Sequence, residues 1–416
     1  MKLLARVVWL GVFYCGVSQG QPALTLEDAI GLALQHNPEL RAADARVEAA
    51  AGRALQARQW SNPELELSAE DWPVSNGRGF SDAKQTLGLA QTLPFPGKKA
   101  LDGQAGRAGL KLSEFELVLR RTALVREVKA GFCRVLAAER LVEVSTQLVT
   151  VAAASATAAR KRVETGAAAY HEQLRAEVLL EQARSELAGY QRELAGAQQG
   201  LATLLGQPDR PLAQLAGALA ESPLPALLAE ATAEQLARHP GVSAARAQLE
   251  RAQLEERRAR LEPYPDVKVG VSGGRLGESD QSIVQFGVSL PLPLLDRGRG
   301  KQQEARALVS VAEAELRAAG QQVRREWTAA WQRYRASAGQ VAIYRERILP
   351  KAAEALRLIQ AGFDHGKFTF LDLVDTQRTT AEAQLAYQHK LLELNLTQAE
   401  LEALLQPQTS PSSTNP

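Results

Sequence analysis

The sequence predicts a mainly α protein with a small β part, a duplicated long-helix/β-hairpin unit. Two observations lead there. First, the second half repeats the first at a nearly constant offset. Pro38 pairs with Pro240 and Pro63 with Pro265 at 202 residues, Gly88 with Gly287 and Arg126 with Arg325 at 199, and Gly166 with Gly366 at 200. Offsets this steady mark a duplicated unit whose small length changes are expected in loops. Second, each half carries one pair of short alternating runs, far from other strand material. A lone two-stranded hairpin is marginal in water, so these hairpins are expected to complete a sheet with copies of themselves. The fold class thus implies an oligomer with a shared barrel.

Composition agrees. Of 416 residues, 5% are aromatic and only the initiator is Met, which suits extended helix packing better than a large enzyme core. The net charge of +2 gives no argument for a nucleic-acid partner. Residues 1–20 read as a secretion signal: Lys2 and Arg6 flank the charged region, Val7 to Val17 are mostly apolar, and Ser18 to Gly20 offer small residues for cleavage. Cys15 invites a lipid-attachment reading, against which Tyr14 stands where a small residue is expected. With Cys15 removed, only Cys133 remains, and no intrachain disulfide is possible. No later stretch reads as a transmembrane helix, so a membrane role falls to the strands.

The first repeat spans 21–205. Thr25 to Asp28 forms a capping-box-like start to a short helix, and Asn37-Pro38 caps a second one reaching about Trp60. Asn62-Pro63 stops it, and a hairpin of about 64–92 follows. Leu65, Leu67 and Ala69 face one way and Glu64, Glu66, Ser68 and Glu70 the other; Leu87 and Leu89 continue the apolar set on the return strand. The second repeat, 232–405, opens with Thr232 to Gln235 and His239-Pro240. Its hairpin, about 266–291, alternates Val267, Val269 and Val271 with Lys268, Gly270 and Ser272, then Val284, Phe286, Val288 and Leu290. Apolar-out, polar-in strands of this length suit an outer-membrane barrel wall; a half-buried hairpin on a soluble domain is the competing reading. The inter-strand loops, 73–82 and 273–280, are polar and contain Gly.

Each hairpin ends in a proline-rich turn, with Pro94 and Pro96 in the first and Pro291 and Pro293 in the second. Helices then start near Lys98 and Arg299 and run to about Lys161 and Gly362, roughly 64 residues or ~95 Å. The stripe Val128, Phe132, Val135, Val142 recurs as Trp327, Trp331, Tyr334, Val341, giving each helix one apolar face. Pro350 predicts a kink or break in the second. Gly166 and Gly366 reverse the chain into return helices from about Glu172 to Leu205 and from Leu371 to Leu405. The inter-repeat segment, 206–231, is rich in Pro, Ala and Leu and reads as a linker with short helical pieces. The tail, 406–416, reads as disordered.

Taken in order, Asn37 to Leu40, Asn62 to Leu67, Leu87 to Pro94, Phe286 to Pro293 with Asp296-Arg297, Ala361 to Gly366 and Phe370 to Arg378 resemble the TolC-like outer-membrane efflux family, and within it the CzcC-like heavy-metal branch. That resemblance implies a trimeric α-helical periplasmic tunnel with a shared 12-stranded outer-membrane β-barrel, four strands from each of three subunits, which removes every sheet edge. It implies a passive conduit working with a periplasmic adaptor protein and an inner-membrane resistance-nodulation-division pump, surrounded by outer-membrane lipid and needing no cofactor. Two rivals are a duct for drug efflux or type I secretion and a soluble periplasmic coiled-coil adaptor or scaffold.

Asp372 and Asp375, three positions apart, share one helix face just after Gly366. The resemblance implies that they line a pore constriction as stacked acidic rings that attract cations, with Glu172 as the first-repeat counterpart of Asp372. The competing reading is a solvated face that complements the helix dipole. Phe363 and Phe368 stand where the resemblance leads one to expect a tyrosine and an arginine, so they point to an apolar constriction or to core packing. Gly166 and Gly366 mark the tip turns, and the four prolines the barrel–tunnel turns. Lys98, Lys99, Arg297 and Arg299 lie at that junction, either snorkelling or beginning helices. His36, His171, His239, His365 and His389 have no dependable metal-site spacing, so no metal site is assigned. No nucleotide loop, zinc-protease helix or Ser/His/Asp set is present, which argues against an enzyme.

Overall fold

A computed structural model describes residues 23–71, 83–221, 232–276, 279 and 281–405. The expected signal peptide, Cys15, most of the inter-strand loops and the tail lie outside these residues. The order is α1 (Leu26–His36), α2 (Pro38–Arg58), β1 (Glu64–Glu70), β2 (Lys84–Leu93), α3 (Lys98–Glu164) and α4 (Tyr170–Leu204). The same order then recurs as α5 (Ala233–Ala237), α6 (Pro240–Arg260), β3 (Val267–Leu276), β4 (Gln281–Ser289), α7 (Arg299–Ile343), a π turn (Tyr344–Ile348), α8 (Leu349–Asp364) and α9 (Phe370–Leu405).

Local chemistry starts these helices where the sequence indicates. Thr25 caps α1 through the Asp28 amide, and Thr232 with Gln235 makes a reciprocal capping box at α5. Asn37 accepts from the amides of Glu39 and Leu40 at the start of α2, while its Nδ2 donates to Leu204 O at 3.1 Å. His239 holds the equivalent place before α6, its Nδ1 accepting from the Gly241 amide at 3.1 Å.

α3 is continuous for 67 residues, about 100 Å long. Its partner in the second repeat is interrupted by the π turn, just before Pro350 in the first turn of α8. The Leu349 N–H donates to Tyr344 O, five residues back. The repeat offset is 199 at Val142/Val341 and 200 at Gly166/Gly366, so one extra residue lies between them in the second repeat. A π turn accommodates one added residue inside a helix. Against the expectation, this length change therefore sits in a helix and not in a loop. Pro350, lacking an N–H, fixes where the ladder gives way.

The core lies where α1, α3, α4, α7 and α9 meet. Leu124, Val128, Phe132, Val135, Leu201, Tyr334, Val341, Leu394 and Leu401 form it with Trp327 and Trp331 against its edge. Val142 is only half-buried; Leu141 takes the inward place. Of the linker, residues 206–221 are described and contain no helix, because Pro208 and Pro211 interrupt them and Leu215 and Leu219 dock into the core as extended chain; 222–231 lie outside the described residues. Ala216 N donates to Leu24 O at 2.9 Å, and the Asn395 side chain brackets both the N–H and C=O of Ala220 at 3.0 Å. α3 also carries an 18-residue window of mean hydropathy 1.3, long and apolar enough to cross a membrane by composition, which the sequence reading passed over. Only 17% of that window is buried; towards the C-terminal end of α3, Ala156 and Ala159 pack against Ala176 and Phe370.

Candidate functional site

The two hairpins find each other within one chain. β2 pairs antiparallel with β3, giving a single four-stranded sheet in the order β1-β2-β3-β4. Register decides its chemistry. Leu65 lies opposite Leu89, Leu89 opposite Val271, and Val271 opposite Phe286; Leu67, Leu87, Val269 and Val288 fall on the same side. All four strands thus turn apolar side chains to one face, and that face is bare: Leu67 is 75%, Phe286 84% and Val288 75% exposed. An uncovered apolar surface of this kind is a contact surface, not a solvated one.

The opposite face is polar and internally paired. Lys268 on β3 crosses β2 to reach Glu64 at 2.8 Å and Glu66 at 2.6 Å on β1. On β2, Thr92 lies opposite Lys268, Ala90 opposite Glu64 and Gly88 opposite Glu66, all on this polar face. A Cβ on Gly88 would come within 2.6 Å of Ser272 Cβ, so the close approach requires glycine. Ser68 and Thr86 hydroxyls hydrogen-bond at 2.6 Å, and Lys84 pairs with Glu70 at 3.0 Å. β1 and β4 each have one side with no strand partner among the described residues.

At the helical end of the sheet the first proline turn is clamped. The Phe95 N–H donates to Asp266 Oδ1 at 2.8 Å, Lys98 Nζ reaches the same oxygen at 2.8 Å, and the Phe95 ring stacks on Tyr264 at 4.7 Å. Lys98 is buried and begins α3, so it does not snorkel. Arg299 begins α7 and stays exposed, as does Arg297.

At the far end, α3–α4 and α8–α9 turn back through Gly166 and Gly366, both at φ +72°. Ala167 N–H donates to Arg162 O and Gly166 N–H to Val163 O; Lys367 and Gly366 repeat the pattern on Gly362 and Phe363. These are paired Schellman turns, and the positive φ is why each needs glycine. Between the two tips lies a cleft of about 650 Å³ lined by Glu172, Gly366, Phe363 and Phe368, with Arg162, His171 and Arg175 beside them. Phe363 packs on Phe370 at 6.2 Å, and Phe368 covers Gly362. Asp372 and Asp375 are not in this cleft; they sit on the exposed face of α9.

Both aspartates already have partners in the single chain. Asp372 Oδ2 accepts from the Thr369 N–H at 2.9 Å and its hydroxyl at 2.6 Å, while Thr369 Oγ1 accepts from the Asp372 N–H. The Thr369 hydroxyl, then its amide, holds the Asp372 carboxyl below the usual aspartate range. Asp375 lies 3.5 Å from Arg378. Sequence reading missed this capping box, although Thr369 three residues before Asp372 signals it.

With this geometry in view, a family model described as outer membrane efflux protein matches residues 29–207 and 232–405. The chain belongs to the outer membrane efflux protein family. It is 30% identical over 367 residues to the cobalt-zinc-cadmium resistance protein CzcC of Cupriavidus metallidurans, covering 88% of this chain and 85% of that one. The nickel and cobalt resistance protein CnrC of the same organism is 26% identical, covering 76% and 74%. Its fold matches the solved structure of CusC at a TM-score of 0.79, with 19% identity and 91% of each chain covered. The family is one of outer membrane efflux channels, which places the protein in the outer membrane, extending into the periplasm.

Three histidines of this efflux protein make structural contacts. His239 caps α6, and burial, outweighing nearby Glu326, holds its pKa below the ordinary histidine value. His365 Nδ1 lies 2.7 Å from Ala361 O, and His389 tilts against Tyr190. Burial pushes the Cys133 thiol up to about 11, which keeps it unreactive. Among the described residues no three His, Cys, Asp or Glu side chains gather as a metal site.

Proposed function

We propose that this protein is one third of a passive exit duct for heavy-metal cations. The observation that carries the reading is the four-stranded sheet with one bare apolar face, one polar face and two unpaired edges. Four strands cannot close, whereas three copies joined β1 to β4 make a twelve-stranded barrel with lipid outside and a polar lumen. The long helices of three copies then enclose a periplasmic tunnel. Energy comes from an inner-membrane resistance-nodulation-division pump, coupled through a periplasmic adaptor. The metal cargo is supported by the likeness to CzcC and CnrC, both named for metal resistance.

Asp372 and Asp375 provide the gate in this reading. Around a three-fold axis their copies form two acidic rings at the tip, where mutual repulsion is relieved by a bound cation. Glu172, Phe363 and Phe368 line the adjoining cleft and brace the two tips against each other. The experiment is detergent mass measurement followed by planar-bilayer recording. A trimer is expected, and divalent block of the current should weaken in an Asp372→Asn, Asp375→Asn channel. A stable monomer with full strand content overturns the duct; unchanged block overturns the gate.

A further inference from the structure

The two proline turns at the helical end of the sheet differ in a way the exit-duct reading does not use. The first is closed on its own chain by Asp266 and Tyr264. The second, Pro291 to Leu295, touches little: Leu290, Leu292, Leu294 and Leu295 are 45%, 67%, 72% and 102% exposed. This string continues directly from the bare face of β4, whose Val284, Phe286 and Val288 precede it. Two exposed arginines, Arg297 and Arg299, follow at once. Neither has an ion-pair partner among the described residues. Asp296 makes no ion pair with either of them; its Oδ1 accepts from the Gly298 N–H at 2.8 Å.

We propose that this turn is a lipid anchor seated in the periplasmic leaflet of the outer membrane, its leucines among acyl chains and Arg297 and Arg299 on phospholipid phosphates. The proposal rests on the sheet spanning that membrane. Backbone chemistry lowers the cost of leaving water at this turn. Pro291 and Pro293 have no N–H, and the Leu294 N–H donates to Leu292 O at 2.8 Å. Exposed Trp60 and Tyr264 lie at the same end of the sheet, where interfacial aromatics are expected. Apolar residues followed by cations match the order of acyl chain, then phosphate, met by a strand leaving a bilayer.

The test uses the full mature chain, assembled and reconstituted in phosphatidylethanolamine–phosphatidylglycerol vesicles, with Cys133→Ala as background. A nitroxide at Leu295→Cys should collide often with oxygen and rarely with a water-soluble nickel chelate. Frequent collisions with the chelate mean water and overturn the anchor. Rare collisions with both mean burial against a neighbouring subunit and overturn it equally. A nitroxide at Val288→Cys is the control: chelate access there defeats the membrane reading itself, whereas lipid access at Val288 without it at Leu295 defeats only the anchor. In a second arm, Arg297→Gln and Arg299→Gln should each lower retained phosphatidylglycerol about five-fold relative to phosphatidylcholine. Equal retention in variant and parent overturns the phosphate contact.

Discussion

In the first repeat the helix from the sheet to the tip runs unbroken through 67 residues; in the second the same path passes through a π turn at Tyr344–Ile348. Asn37 begins α2 in the first repeat, and a titratable His239 begins α6 in the second. At the tip the asymmetry reverses. Thr369 and Asp372 cap α9 reciprocally, while Ala169, the counterpart of Thr369, gives α4 no side-chain cap. Duplication therefore preserved the order of elements and let their ends diverge. Helix ends tolerate this because several residue types satisfy the same few orphan amides.

The largest expected effect comes from moving the break. Thr150 is the first-repeat counterpart of Pro350, and proline there would remove a ladder bond inside continuous α3. Thr150→Pro should cost about 3 kcal/mol or more, read as a lowered melting temperature by circular dichroism in detergent. Pro350→Ala should change stability by less than ~1 kcal/mol, since Pro350 already occupies a first-turn position. Equal costs would break the comparison.

The hairpins provide the next test, because here the repeats act alike. Arginine at Leu67 or at Val288 should cost ~2–4 kcal/mol in membrane assembly near the bilayer midplane. Arginine at Ser289, on the polar face, should assemble normally and change only conductance. Failure of Ser289→Arg to assemble would remove the assigned alternation.

The caps should differ in pH response. Burial depresses the pKa of His239 in the folded state below the ordinary histidine value of 6.5. The neutral form accepts the Gly241 amide, so its contribution is complete above that value and is lost as pH falls below it. Amide exchange at the start of α6 should quicken on acidification by the equivalent of ~1 kcal/mol, while the start of α2 stays unchanged. His239→Asn should remove the difference. The smallest effect belongs to the tip: Ala169→Ser should stabilise α4 by ~0.5–1 kcal/mol, and Thr369→Ala should weaken α9 by a similar amount. Slower exchange in α4 alone would check the first, and a tip that ignores both changes would refute the capping account.

Much of the fold was legible because it is written in short-range pattern. The caps at Thr25, Asn37 and Thr232, the glycines at 166 and 366, and the strand alternation each follow from a few neighbouring residues. The described part of the linker is extended although its alanine- and leucine-rich composition favours helix, because Leu215 and Leu219 dock into the core. The change of offset from 199 to 200 announced one added residue, but nothing local said that a helix would absorb it. Of the tip residues, Phe363 and Phe368 were placed as possible packing groups and do pack on Phe370 and Gly362. The engagement of Asp372 with Thr369 was visible in the sequence and overlooked.

By itself the sequence determined the duplication, the period of each element, and which side chains share a strand face or helix face. These are consequences of fixed backbone periods, about 3.6 in helices and 2 in strands. Only the tertiary structure decided that β2 pairs with β3, so that two hairpins become one sheet and Lys268 reaches Glu64 and Glu66 across β2. Only it closed the first proline turn on Asp266 and Tyr264 and left Leu292, Leu294 and Leu295 bare. Those outcomes depend on groups far apart in the chain, Glu64 to Lys268 or Phe95 to Asp266, brought together by packing that no local period encodes.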